Sequence, residues 1–395
     1  MNYAEIEAAD QLRGRTSLDR CVLQGLDLSA EAVDWAAVAV TRQTFFLGCR
    51  LRPEDEAGLR TRGAVFFPRF EELPYDPYRA RLYDTAELMA GYDGRLFESA
   101  ADQKIYRAFK DERTIVDALS EALHDQHMED ALGDFEDREV PDRFPRGVVG
   151  IMGGHAMHRG EAPYREIARL AHRLAREGFL ILTGGGPGAM EAANLGAFLA
   201  GHDEAVVADA CSALAPHADY RDSAPYHAAA QEVIRRFAPV EARDWGFAPA
   251  SSTVSAPSPA AAPRGAGWSL AIPTWVYGHE PTNLFASHVA KMFQNSVREA
   301  GLVRIAKAGL VFAEGKAGTL QEIFTDTVEN YYAERPQDMR PMAFWPRLYW
   351  TETVPVLECL DRLALAGGKR FVDRVRAFDA IDEIVDFLKS PPRSP

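Results

Sequence analysis

Apolar runs alternate with helix-like segments from about residue 146 to the C-terminal end. The short continuous runs predict buried strands, and apolar positions three and four residues apart predict amphipathic helices. We predict strands at 148–152, 179–182, 205–208, 270–273, 310–313 and 342–345. We predict helices at 163–177, 189–199, 283–300, 319–332 and 352–366. This alternation predicts an α/β fold, a Rossmann-like doubly wound parallel sheet.

The region before residue 146 has a different pattern. Strand-like runs bounded by turn residues occur within 1–95, where no catalytic constellation is evident. The spacing Val22-Leu23-x-x-Leu26-x-Leu28 is compatible with a stacked β-coil, although one or two coils do not establish a repeat. We therefore interpret 1–95 as a smaller, strand-rich accessory domain, 96–145 as a helical connector and 146–390 as the Rossmann-like domain.

One segment interrupts the alternation. Residues 251–267 are rich in Ala, Pro, Ser and Gly, which predicts a flexible insertion between two strands. A lid over a site and a surface loop without a role are both compatible with this composition.

Composition narrows the class of protein. The chain has 395 residues, a formal charge of −14 and 47% hydrophobic residues. An acidic chain without a basic cluster lacks the footprint for nucleic acid. The four scattered cysteines form no C-x-x-C motif, and no apolar run reaches the length of a membrane span. We expect a cytoplasmic protein with reduced thiols, no metal, no membrane contact and no nucleic-acid partner.

Three glycine-rich turns follow predicted strands. Glycine lets the backbone approach a ligand, and a helix N-terminus behind such a turn binds anions. The turns lie at 153–154, 184–188 and 315–318, and all three fall at carboxyl ends of strands, where α/β sheets bind ligands. Neither a dinucleotide fingerprint nor a P-loop matches, which disfavours an oxidoreductase and NTP hydrolysis.

In order, these motifs resemble the LOG ("Lonely Guy") family. They are Gly-Ile-Met-Gly-Gly at 150–154, Thr-Gly-Gly-Gly-Pro-Gly-Ala-Met-Glu-Ala-Ala-Asn at 183–194 and Gly-x-x-Gly-Thr-x-x-Glu at 315–322. The resemblance covers residues 146–390 and is nearer to the larger bacterial members with an extra N-terminal domain. It departs from the family signature P-G-G-x-G-T-x-x-E at Glu314 and Lys316.

The resemblance implies an enzyme, a nucleoside 5′-monophosphate phosphoribohydrolase without a cofactor. It would hydrolyse the N-glycosidic bond to a free base and ribose 5-phosphate, and it would be a homodimer or larger homo-oligomer. Glu322 would stabilise the positive charge on the sugar, and Arg298 would orient the substrate, with Arg304 as the competing arginine. The alternative is a non-catalytic nucleotide-binding sensor on the same fold, which the substitutions at 314 and 316 favour.

The remaining candidates would contact the substrate and its phosphate. They are Gly153, Gly154, Gly184, Gly185, Gly186, Gly188, Met190, Glu191, Gly315, Lys316, Gly318 and Thr319. Glu191 also suits a helix N-terminus electrostatically, and His155 and Asn194 are weaker candidates. Pro281-Thr282-Asn283 is expected to cap the helix that carries Arg298.

Overall fold

A computed structural model describes residues 3–110, 113–237, 267–371 and 374–390. The chain divides into two compact units, one of residues 1–82 with 107–133 and the other of residues 83–106 with 134–395. The predicted insertion at 251–267 lies outside the described residues except for Gly267. None of the helices in the described ranges combines the length and the apolar character that a bilayer crossing requires.

The first unit contains a four-stranded parallel sheet. Its strands are β1 (Ala4–Ile6), β2 (Cys21–Gln24), β3 (Thr44–Leu47) and β4 (Val65–Phe67), with helix α1 (Pro53–Thr61) between the last two. Each strand pairs with the next one along the chain. The Phe46 ring, fully buried, stacks on Phe66 at 4.3 Å between centroids. Parallel pairing in chain order is the arrangement that a stacked β-coil has.

The second unit contains a seven-stranded parallel sheet. Its strands are β5 (Val148–Met152), β6 (Leu180–Thr183), β7 (Ser269–Ala271), β8 (His288–Val289), β9 (Gly309–Phe312), β10 (Met342–Phe344) and β11 (Val375–Ala377). The spatial order is β11-β10-β9-β5-β6-β7-β8. The chain runs outward from β5 to β8 and then returns to β9 on the other side of β5. Strand order therefore reverses between β5 and β9, the point where open α/β sheets bind ligands.

Helices connect these strands, and the predicted α/β, Rossmann-like fold is confirmed. Those of the second unit are α2 (Thr85–Leu88), α5 (Ala162–Arg176), α6 (Ala189–Phe198), α7 (Ala205–Leu214), α8 (Ser223–Phe237), α9 (Asn295–Ile305), α10 (Ala317–Tyr332), α11 (Val356–Ala366) and α12 (Ile381–Lys389). Helices α3 (Ala101–Lys110) and α4 (Ile115–Arg143) have residues in both units.

The predicted strand at 205–208 is wrong, because these residues begin helix α7. A four-residue apolar run does not distinguish a strand from a buried helix. The run continues with helical spacing, since Val207, Ala210, Cys211 and Leu214 are all buried.

The predicted helix at 283–300 is also wrong in its first half. Strand β8 occupies 288–289, and helix α9 begins only at Asn295. Asn283 does not cap α9; its side-chain oxygen accepts the backbone N–H of Phe285, which closes a local turn. The residues from Leu284 to Phe293 are almost all buried. Because most positions in this run are apolar, the sequence does not distinguish a strand from a helix there.

Candidate functional site

A cavity of about 510 Å³ lies at the carboxyl ends of the strands of the second unit. This volume suits a small-molecule ligand. The three glycine turns contribute to its lining with Gly153, Gly154, Gly184, Gly185, Gly315 and Gly318. Met190, Arg298, Lys316, Thr319 and Glu322 line it as well.

The glycine turns contact one another through their backbones. The N–H of Gly154 donates to the carbonyl of Glu314 at 2.8 Å, and the N–H of Ala189 donates to the carbonyl of Gly154 at 3.2 Å. Gly188 has a φ of +72°, and a Cβ there would lie 2.5 Å from the Gly154 carbonyl oxygen. Only glycine meets both conditions, so the turns before α6 and after β5 can lie this close together.

Arg298 reaches the cavity from helix α9 and is 7% exposed. Its Nε donates to the carbonyl of Ile272 at 2.9 Å, and its Nη1 donates to Glu299 Oε1 at 2.6 Å. Its Nη2 lies 3.6 Å from Glu322 Oε1. A side chain at Gly184 would collide with this guanidinium, so the glycine makes room for the arginine.

Glu322 lies on helix α10 and is 6% exposed. Burial raises the pKa of Glu322 from 4.5 to about 7; Arg298 opposes this shift and the Glu299 carboxylate adds to it. A carboxyl group that titrates near neutral pH in a cavity is suited to accept or donate a proton in catalysis.

The third turn leads directly into α10, which begins at Ala317. The first N–H groups of a helix have no partner within it, which makes its N-terminus a binding site for anions. Lys316 and Gly318 are exposed beside it, and Thr319 is buried. The Tyr349 hydroxyl donates to the Gly315 carbonyl at 2.5 Å and fixes the turn from the other side.

Three predicted residues are not among those that line the cavity in the described part of the chain: Gly186, Gly188 and Glu191. Glu191 is buried among protein partners, and its contact with a ligand stays a prediction. Its carboxylate accepts two hydrogen bonds from Arg159, at 2.9 and 2.6 Å, and one from the Tyr164 hydroxyl at 2.9 Å. Burial alone would raise the pKa of Glu191, but the Arg159 guanidinium and the hydroxyls of Tyr226 and Tyr164 together outweigh it and lower this pKa.

Two further candidates, Arg304 and Asn194, contact other protein side chains. Arg304 is exposed and pairs with Glu136 at 3.3 Å, whereas Arg298 faces the cavity. Asn194 is buried between Thr183 and Ser269, at 2.7 and 2.8 Å, and ties the neighbouring strands β6 and β7.

Sequence reasoning missed a buried charge network beside the cavity. Asp102, fully buried, accepts hydrogen bonds from Trp275 Nε1 and Thr282 Oγ1, each at 2.8 Å. Lys291 Nζ lies 2.8 Å from Asp102 Oδ1, and both Lys291 and Thr282 line the cavity. The available signal was Lys291 itself, a single cation within the apolar run 289–293.

Glu280 and His155 form a second acid–base pair in the lining. Glu280 Oε1 lies 3.6 Å from His155 Nδ1, and the two residues come from the segments after β7 and β5. From the sequence, Glu280 and His155 are both only weak candidates for the site, because no local motif joins the two.

The fold defines a Rossmann-like α/β protein, and the cavity lies at the switch point of its sheet. Residues 146–203, from β5 through α6, match the model of the SLOG cluster4 family. The matched segment includes the first two glycine turns, whereas the third turn, Arg298 and Glu322 lie outside it.

Two further comparisons add little. No curated protein matches the chain. Among solved structures, the chain is similar to the molybdenum cofactor binding protein from the phototrophic bacterium Rippkaea orientalis, at 13% identity. That alignment covers 62% of this chain and 95% of the other, with a TM-score of 0.34, and a likeness this distant says nothing about ligand chemistry.

Proposed function

We propose that the protein hydrolyses the N-glycosidic bond of a nucleoside 5′-monophosphate to a free base and ribose 5-phosphate. The observation that carries this proposal is the buried Glu322 carboxyl group in the cavity, beside Arg298, with a pKa of about 7. The match of residues 146–203 to the SLOG cluster4 model supports a nucleotide-related ligand.

The 5′-phosphate would bind at the N-terminus of α10. The backbone N–H groups of Gly318 and Thr319 suit an anion there, and Lys316 adds a positive charge at the rim. Glu322 lies one turn further along the same helix. A phosphate held at the turn would therefore bring the ribose towards the Glu322 carboxyl group.

Bond cleavage at C1′ gives the sugar oxocarbenium character, which a nearby carboxylate stabilises. In the proposed reaction a water oxygen bonds to C1′ and passes its proton to Glu322, while the C1′–N electron pair leaves with the base. Arg298 keeps the Glu322 carboxyl group in place and binds oxygens of the substrate. The reaction needs no metal or cofactor.

A second candidate is a nucleotide-binding sensor that lacks catalysis. The observation that favours it is the pair of substitutions in the third turn, because Glu314 lines the cavity with Lys316. A carboxylate close to a bound phosphate repels it and weakens the site for the fully charged substrate.

We also propose that the protein is a cytoplasmic homodimer or larger homo-oligomer without a nucleic-acid or membrane partner. Helix α10 has an exposed apolar face made of Phe324, Val328 and Tyr332, which a second copy would cover. The four free cysteines are compatible with a reducing compartment.

Incubation with AMP, GMP, IMP, CMP, UMP and isopentenyl-AMP, followed by chromatography for free base, tests the hydrolase. We expect base release from at least one nucleotide, and a loss of about 10²–10⁴-fold in Glu322→Gln. The matched control is Asp326→Asn, since Asp326 lies one turn further on α10, is buried, also has a pKa of about 7 and is outside the cavity lining.

The control should keep the wild-type rate. Binding of these nucleotides in a thermal-shift assay, without base release from any of them, would instead support the sensor.

A further inference from the structure

Departure of the base requires a proton. A purine or pyrimidine leaves poorly as an anion, and general acids that protonate leaving groups accelerate such steps by about 10²–10⁴-fold. Glu322, beside Arg298, accounts for the charge on the sugar, so the proposed reaction still lacks a proton donor for the base.

Glu280 is a second, partly buried carboxyl group in the cavity lining whose pKa lies above its usual range. It follows the turn Trp275–Tyr277, and its backbone N–H donates to the Tyr277 carbonyl at 2.9 Å. Its side chain is 16% exposed, and its Oε1 lies 3.6 Å from His155 Nδ1. His155 is more than half exposed and connects this carboxyl group to solvent.

The surroundings of Glu280 favour its protonated form. Burial raises the pKa of Glu280, and the nearby His279, Lys291 and Arg298 only partly oppose it. Tyr220 also faces this carboxyl group, because the charge of Glu280 contributes, after burial, to a raised Tyr220 pKa. A protonated carboxyl group at the cavity can donate, whereas an ionised one cannot.

Glu280 and the arginine partner of Glu322 lie against the same glycine turn. Arg298, the partner of Glu322, lies against Gly184, while a Cβ on Gly186 would lie 2.8 Å from Glu280 Oε2. Two residues of chain span at most about 7 Å, so the two acid sites flank a short stretch of backbone. Met190 contacts both ends of that stretch. This arrangement provides one carboxyl group for the sugar and another for the base.

We propose that Glu280 is a further catalytic residue, the general acid that protonates the departing base; this role rests on the proposed hydrolysis. The C1′–N bond breaks, its electron pair passes to the base nitrogen, and the proton of the Glu280 carboxyl group joins the base. Water bonds to C1′ and gives a proton to Glu322. Solvent then takes a proton from Glu322 and returns one to Glu280 through His155, so that one water is consumed in total.

A change of leaving group tests this role. The nucleotide that is hydrolysed fastest in the panel is compared with 4-nitrophenyl ribofuranoside 5-phosphate, whose nitrophenolate leaves without a proton at neutral pH. We expect Glu280→Gln to lower kcat on the nucleotide by about 10²–10⁴-fold and to change kcat on the nitrophenyl substrate little. Glu322→Gln should slow both substrates, and Asp326→Asn should slow neither.

A second variant separates acid chemistry from folding. Glu280→Asp keeps a carboxyl group and should recover part of the nucleotide activity that Glu280→Gln loses, at an unchanged thermal midpoint. Equal losses on both substrates in a folded Glu280→Gln protein would overturn the acid role and leave the hydrolysis standing. Absence of base release from the wild-type protein would overturn the hydrolysis and the role of Glu280 with it.

Discussion

Glu191 and Glu322 occupy similar positions and have opposite properties. Each follows a glycine turn, lies near the start of a helix and pairs with a buried arginine. Arg159 and Tyr164 saturate the Glu191 carboxylate, which stays ionised with a lowered pKa. Glu322 has a single arginine contact at 3.6 Å and a pKa of about 7.

The difference teaches how to distinguish a structural acid from a chemical one. Burial penalises the charged form of both carboxyl groups, and only a full set of donors offsets that penalty. The Glu191 pair stabilises the layer between α5 and α6. The Glu322 carboxyl group faces the cavity, and it can still bind a proton or accept hydrogen bonds from a ligand.

The largest expected effect is a loss of stability when the buried ion pair of Arg159 and Glu191 is broken. Arg159→Met leaves the Glu191 carboxylate buried without its cation, and such a change costs about 3–5 kcal/mol of unfolding free energy. Urea unfolding of the variant against the wild-type protein measures this loss. A loss below about 1 kcal/mol would show that the ion pair of Arg159 and Glu191 does not stabilise the layer between α5 and α6.

Glu322→Gln should change the free energy of unfolding in the opposite direction from Arg159→Met, because it should stabilise the fold at pH 8. Between pH 4.5 and about 7 the unfolded chain loses the Glu322 proton while the folded chain retains it, so wild-type stability falls as pH rises through that window. The full difference above that window is about 3 kcal/mol.

Unfolding measured at pH 8 and pH 4 compares the two limits. The advantage of the Glu322→Gln variant should disappear at pH 4. An equal advantage at both values would mean that the titration of Glu322 is not its cause.

The pH profile of hydrolysis should sharpen the comparison further. We expect kcat/KM on the nitrophenyl substrate, whose leaving group needs no proton from Glu280, to rise with pH through about 7, because the ionised form of Glu322 accepts the proton of water. Arg298→Met removes the charge that opposes this shift and should move the midpoint upward. If the midpoint of the pH profile does not move in Arg298→Met, the rise of kcat/KM with pH is due to the titration of a group other than Glu322.

The smallest effect is expected at Arg304. Its ion pair with Glu136 is exposed, and pairs of this kind contribute about 0–1 kcal/mol. Arg304→Gln should keep both stability and base release near wild-type values. A strong loss of activity would reopen the choice between Arg304 and Arg298.

The frame of the fold could be predicted from the sequence, because the apolar runs at β5, β6 and β9 alternate with segments of helical period, which is the pattern of a parallel α/β sheet. Residues 205–208 and 283–294 could not, because a short apolar run fits a strand or a buried helix equally well and tertiary packing decides its conformation.

The site divides in the same way. Glu322 and the glycines of the third turn form a local motif, so their place at the cavity could be predicted. The partners of Glu191 and of Lys291 come from distant segments, and no local pattern marks such partners. The catalytic and binding roles of these residues stay predictions.

The network around Asp102 has a consequence for the order in which the chain folds. Asp102 and its cation Lys291 are 189 residues apart, and Tyr83 pairs with Val289 across a similar interval. Contacts of such long range form late, because the loop between them must close first. During synthesis the segment 83–106 is made long before strand β8, so Asp102 lacks its cation Lys291 until the later segment has been synthesised. A fragment that begins at β5 would therefore carry every glycine turn and still lack part of the cavity wall.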